Sequence, residues 1–206
     1  MSIEILISFV IATSALAISP GPDNIYVIMQ SIVHGKKFGI ATVCGLITGC
    51  IVHTTFVAFG LSIIIKEQLW LFLLIKWCGA IYLIYLAFKI YKSSSDLVLD
   101  SGSIPKKTTG QLFRQGFIMN VLNPKVSLFF LSFFPAFLFS RTLSTVYQFY
   151  ILGILFMLTS FIIFVGLALL AGSISTYIKQ NKYIGLILKW LQIMVFTAIA
   201  LYLVLS

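Results

Sequence analysis

Ser19-Pro20-Gly21-Pro22-Asp23 sets two prolines, a glycine and a carboxylate between apolar runs that are each long enough to lie in a membrane. Proline lacks a backbone donor and its ring clashes with the preceding turn, so this stretch must stop the helix expected over 3–18. A second helix is expected to start there, with Ser19 as N-cap and Pro20 or Pro22 as its first residue, which leaves backbone N–H groups facing the break. At membrane depth such a break must line an enclosed or watery cavity, because lipid cannot satisfy open backbone groups.

Working outward, the 206 residues are 60% hydrophobic and 9% charged, whereas soluble domains carry about 25% charged residues. The chain is therefore predicted to be an all-α integral membrane protein. Its formal net charge of +9 reads as the Lys and Arg excess of cytoplasmic loops, not as a nucleic-acid footprint. Cys44, Cys50 and Cys78 fall inside apolar runs without metal or redox spacing, so they read as free thiols, and no metal or cofactor is expected. Ala15-Leu16-Ala17 has the look of a cleavage site, but Glu4 stands where a leader carries positive charge, so the first run is expected to be retained.

A spanning helix needs about 20 apolar residues. That template fits about six times, near 3–32, 38–65, 69–91, 112–139, 146–171 and 184–205. The first span is broken at Pro20/Pro22 and the fourth at Asn123-Pro124-Lys125. The polar segment at about 92–112 reads as a loop between two three-helix repeats, about 1–95 and 112–206, of a single transporter domain. Lys36, Lys37, Lys89, Lys92, Lys106, Lys107, Arg114, Lys179, Lys182 and Lys189 gather on alternate links, which places those links in the cytoplasm and both termini outside. Each half has a proline-broken first span and a Lys-Trp pair in its third, Lys76-Trp77 and Lys189-Trp190. With three spans per half the second repeat enters the membrane in the opposite sense, and matched broken spans in inverted repeats point to a transporter's binding site.

Charge inside a membrane costs a few kcal/mol by insertion scales, so Asp23 and Lys125 each need a partner or a purpose. One reading is a structural ion pair. The other is a bipolar site, in which Lys125 and the half-helix N-termini after Pro22 and Pro124 attract an anionic group while Asp23 takes an ammonium group or a proton. Asn24 and Asn123 add hydrogen-bonding capacity, Asn123 also reading as the N-cap before Pro124. Gly45, Gly49 and His53 follow at four-residue steps, a stripe suited to close helix packing within one chain or between two copies, which leaves a homo-oligomer open. His53 reads either as a neutral core histidine or as part of a proton pathway, and His34 as a solvated loop residue. The run Phe129-Phe130, Phe133-Phe134, Phe137 and Phe139 is expected to divide between core and lipid. Motifs for metalloprotease, serine-hydrolase or phosphate-loop chemistry do not occur, so the chain does not read as an enzyme.

Ser19-Pro20-Gly21-Pro22-Asp23, Gly35-x-x-x-Gly39, Gly45-x-x-x-Gly49-x-x-x-His53, the run from Gly79 to Leu86, Phe113-Arg114-Gln115-Gly116-Phe117 and Asn120-Val121-Leu122-Asn123-Pro124-Lys125 together resemble the LysE/RhtB amino-acid exporter family. The resemblance implies a bacterial cytoplasmic-membrane exporter of amino acids or close derivatives, driven by proton antiport. It also implies that Pro20, Gly21, Pro22, Asp23, Asn123, Pro124 and Lys125 belong to the transport path. Pro135-Ala136-Phe137 departs from the family, which frequently has glutamine between Pro and Phe, and would leave a less polar site if that amide touches substrate. The alternatives are a small-ion or metal-ion carrier and an intramembrane enzyme gripping a lipid-linked phosphate through Lys125 and Arg114.

Overall fold

The computed structural model describes residues 3–19, 21–92, 107–180 and 183–205. These residues form helices connected by short links, with no strand among them. In order they are α1 (Ile3–Ile18), α2 (Pro22–His34), α3 (Lys36–Phe56), a π turn (Val57–Leu61), α4 (Ser62–Glu67), α5 (Leu69–Lys92), α6 (Thr109–Val121), α7 (Pro124–Phe133), a 3-10 turn (Phe134–Phe137), α8 (Thr145–Gln180) and α9 (Tyr183–Leu205). Three apolar stretches, Lys36–Ile65, Trp70–Lys92 and Thr145–Ser173, can each cross a membrane, and the number is five if each bent pair is one span. The α9 helix is a further apolar element. The chain is thus a multi-pass membrane protein, while the polar loop expected near 92–112 falls mostly outside the described residues.

The two proline motifs bend their spans by similar angles, 60° between α1 and α2 and 51° between α6 and the segment that starts at Pro124. Ser19 is not the cap of α2. Gly21 occupies that position, supplies no side-chain bond, and is followed by Pro22 as the first helical residue. The Ser19 hydroxyl is instead buried without a partner. At the second break Asn123 does cap its helix, its Oδ1 accepting from Lys125 N–H at 3.0 Å.

The small-residue stripe on α3 is a seam within the chain. A side chain at Gly45 would overlap the Phe113 carbonyl of α6, and one at Gly116 would overlap the Thr42 carbonyl of α3. Glycines at both points let the two backbones touch, the device by which membrane helices gain packing without a hydrophobic driving force. Helix α3 also packs along α8, and α5 along α9.

The phenylalanine run is core throughout and does not divide with lipid. Phe129, Phe130, Phe133, Phe134, Phe137 and Phe139 are all buried. The rings of Phe130 and Phe134 stack with centroids 4.1 Å apart, and the cluster meets Phe9 of α1 and Phe156 of α8 edge-on, through Phe134 and Phe130. Trp70, Trp77 and Trp190 face outward, as membrane-contact residues should. At the far end of α7 the turn into α8 is clasped by buried Gln148. Its Oε1 accepts from the N–H groups of Phe139 and Ser140 at 2.8 and 2.9 Å, and its Nε2 donates to the carbonyls of Ser140 and Leu143 at 2.8 Å each.

Candidate functional site

Helix breaks leave carbonyl groups open, and the way each is closed builds the site. In an unbroken helix the N–H of Gly21 would bond the Ala17 carbonyl, and that of residue 124 the Asn120 carbonyl. At the first break Asn24 Nδ2 donates to Ala17 O at 2.7 Å. At the second, proline has no N–H to give. Asn120 O accepts instead from Asn123 N–H at 3.0 Å and from His53 Nε2 at 3.1 Å. A carbonyl only accepts, so His53 carries its proton on Nε2. Its ring packs on Phe130 at 5.4 Å.

Asn123 joins the two breaks. While its carbonyl oxygen caps α7, its Nδ2 donates to Asp23 Oδ2 at 2.8 Å. Lys125 follows, with Nζ 5.0 Å from the centre of the Phe196 ring of α9, a cation held against an aromatic face. Among the described residues the two charges are therefore held by Asn123 and Phe196 rather than by an ion pair with each other. The Gly21 backbone lies beside the ammonium, since a Cβ there would come to 3.7 Å of Nζ.

Asp23 and Lys125 line one cavity of about 40 Å³, together with Asn24, Cys50, Asn120 and Ser160 as its polar members and Leu16, Ile47, Val126, Phe156 and Phe164 among its apolar ones. That is room for one or two waters. Ser160 is buried and its hydroxyl has no partner. The Cys50 thiol points at Asn120 Oδ1 across 3.7 Å, and Gly49 leaves the room in which the Asn120 side chain sits.

Of the residues singled out in the sequence, Gly21, Asp23, Asn24, Asn123 and Lys125 come together here. Pro22 and Pro124 are exposed at the starts of their helices and shape the breaks without lining the cavity. Pro20 lies outside the described residues. His53 braces the second break from α3 and is not among the lining residues. His34 is no solvated loop residue: it ends α2, is half-buried, and packs 5.9 Å from the Phe38 ring. Ala136 sits beyond α7 with its carbonyl near the Tyr202 hydroxyl, so its replacement of an amide does not alter the central cavity. Asn120 and Ser160 were not marked as candidate contacts. Asn120 had a readable signal, since it stands four residues before Pro124 and must carry the orphaned carbonyl.

The LysE type translocator family model matches residues 14–206, which include both breaks and every residue lining the cavity. The chain belongs to the LysE type translocator family. Among curated relatives of this translocator is the homoserine/homoserine lactone efflux protein of Salmonella typhimurium, 30% identical over 182 residues, covering 88% of this chain and 87% of that protein. An uncharacterized membrane protein of Bacillus subtilis is 33% identical over 141 residues, 65% of this chain and 67% of the relative. One from Vibrio cholerae is 26% identical over 180 residues, covering 87% of each. No solved structure matches this LysE type translocator.

Proposed function

We propose that the protein exports an amino acid or a close derivative from the bacterial cytoplasm through the cavity between the two breaks, driven by inward movement of protons. The observation that carries this reading is a carboxylate and an ammonium group, one from each break, lining a single buried cavity. A zwitterion matches both charges at once, its carboxylate toward Lys125 and its ammonium group toward Asp23. Lys125 would repel a metal cation at the same place, which favours the zwitterion over an ion carrier. Family membership and the efflux activity in the name of the Salmonella relative support export of a small amino-acid-like solute.

In this reading the protein sits in the inner membrane with both termini outside and with Lys36, Lys37, Lys89 and Lys92 at the cytoplasmic ends of their helices. The two halves form inverted repeats. The similar bends of the two broken spans and the pairing of α3 with α8 and α5 with α9 are what a two-fold relation in the membrane plane would produce. Rocking the repeats about the cavity opens it to each side in turn, and Asp23 is the group that exchanges its proton during the return. Proteoliposomes loaded with labelled homoserine and a panel of amino acids test this. Export that rises with an imposed proton gradient in the intact protein, and collapses about a hundredfold in Asp23→Asn and Lys125→Ala, is expected. Undiminished export by both variants overturns the assignment.

A further inference from the structure

The central cavity stops at Asp23, but the polar character of α2 does not. Tyr26, Gln30 and His34 follow Asp23 at steps of three, four and four residues, so all four lie within an arc of about 80° on one face of the helix. They cover about 16 Å of helical rise, half of a hydrocarbon core about 30 Å thick. Each of the three ends in a buried group without a hydrogen-bond partner: the Tyr26 hydroxyl, both amide atoms of Gln30, and His34 Nε2. Gln30 is wholly buried. The Tyr26 hydroxyl lies beside the Gln30 amide, so the two polar groups are neighbours on this face.

Such groups are rare because an unsatisfied buried donor or acceptor is costly. Nor are they general on this helix, since Ser31 Oγ donates to Val27 O at 2.9 Å. Three orphans in sequence on one face lead from a charged cavity to the helix end beside Lys36 and Lys37, and no protein group bonds them there. Only water or a polar solute can supply partners along the whole face.

We propose that Tyr26, Gln30 and His34 form one wall of a water-filled passage that opens between the central cavity and the Lys36/Lys37 end of α2, closed in the present conformation, along which a zwitterionic solute reaches Asp23. The solute's identity rests on the export reading above; the water path does not. The test uses the full chain in membrane vesicles, with Gln30→Cys and, two residues nearer the helix end but on the opposite face, Ile32→Cys, treated with a charged, membrane-impermeant thiol reagent. If depth alone governed access, Ile32→Cys would label faster. The expected result is labelling of Gln30→Cys, above the background of the parent protein, at least about tenfold faster than of Ile32→Cys and only from the face bearing Lys36 and Lys37. Tyr26→Cys repeats the measurement if Gln30→Cys fails to insert. Gln30→Leu, which removes the orphaned amide, is expected to hold or raise Tm while export falls about tenfold. Labelling no faster than at Ile32, or full export by Gln30→Leu, overturns the proposal. Because labelling reads water and not cargo, it stands or fails separately from the choice of amino acid as substrate.

Discussion

The helices that leave the two breaks, α2 and α7, start alike and are finished differently. Both begin at a proline with a charged residue immediately after it, Asp23 or Lys125. From there α7 is capped by Asn123, buries Phe129, Phe130 and Phe133 in a stack of rings, and ends in a turn held four times over by Gln148. Helix α2 has no side-chain cap, carries orphaned polar groups down one face, and ends at Gly35 with φ of 102°. The contrast teaches that matching bends do not make matching halves. One half-helix is a wall of packed rings, and the other, though packed against α3 and α8, carries unpartnered polar groups along one face.

The largest effect that would break this comparison comes from the wall. Phe133→Ala is expected to cost about 3–5 kcal/mol, read as a fall in unfolding midpoint in detergent, because the ring is enclosed by Phe9, Phe129 and Phe137. A shift no larger than that of a lipid-facing control such as Leu74→Ala would show that α7 is not the rigid partner. Next comes the clasp. Gln148→Leu strands two N–H groups and two carbonyls, with an expected loss of about 2–3 kcal/mol in the same unfolding assay and little change in initial export rate per folded molecule.

Asn123 sharpens the comparison at the junction of the halves. Asn123→Asp keeps a capping oxygen for α7 but sets a second carboxylate against Asp23, so export should fall while Tm shifts by less than about 1 kcal/mol equivalent. Asn123→Ala should cost about 1 kcal/mol in stability by loss of the cap. Equal export by the Asp and Ala variants would separate Asn123 from the charge balance of the cavity. Gly35 tests the other end of α2. There φ of 102° and ψ of 160° fall in a region held almost only by glycine, and nothing lies within 4 Å of the place a Cβ would take, so Gly35→Ala meets backbone strain alone, about 1–3 kcal/mol measured by the same unfolding midpoint.

Much of this was legible because proline acts locally. The end of α1 at Ile18, the start of α2 at Pro22 and the Asn123 cap follow from a missing N–H and a fixed φ, which depend on neighbours in sequence. Apolar run length likewise located the long helices. What was not legible depends on which helix faces which. The glycine stripe fits a seam within one chain or between two, and only the placement of Phe113 and Thr42 decides for the former. Apolar residues look the same whether they meet lipid or protein, so the burial of the whole phenylalanine run is a matter of assembly. Gln30, Gln148 and Ser160 are polar residues set within apolar runs. Nothing in the sequence tells that Gln148 is fully bonded while Gln30 has no bond at all.

The cavity's small volume, about 40 Å³, has a consequence for economy of transport. In the transport cycle proposed above, a cavity that shrinks to one or two waters carries almost no dead volume, so the return half, on which Asp23 exchanges its proton, drags little solvent and no bystander metabolite through the membrane. Leak through such a protein is set by how rarely the cavity opens unfilled. In that cycle the residues that govern waste are the apolar ones that line the cavity, Phe156 and Phe164 on α8 among them, rather than Asp23 and Lys125, the pair proposed to select the cargo.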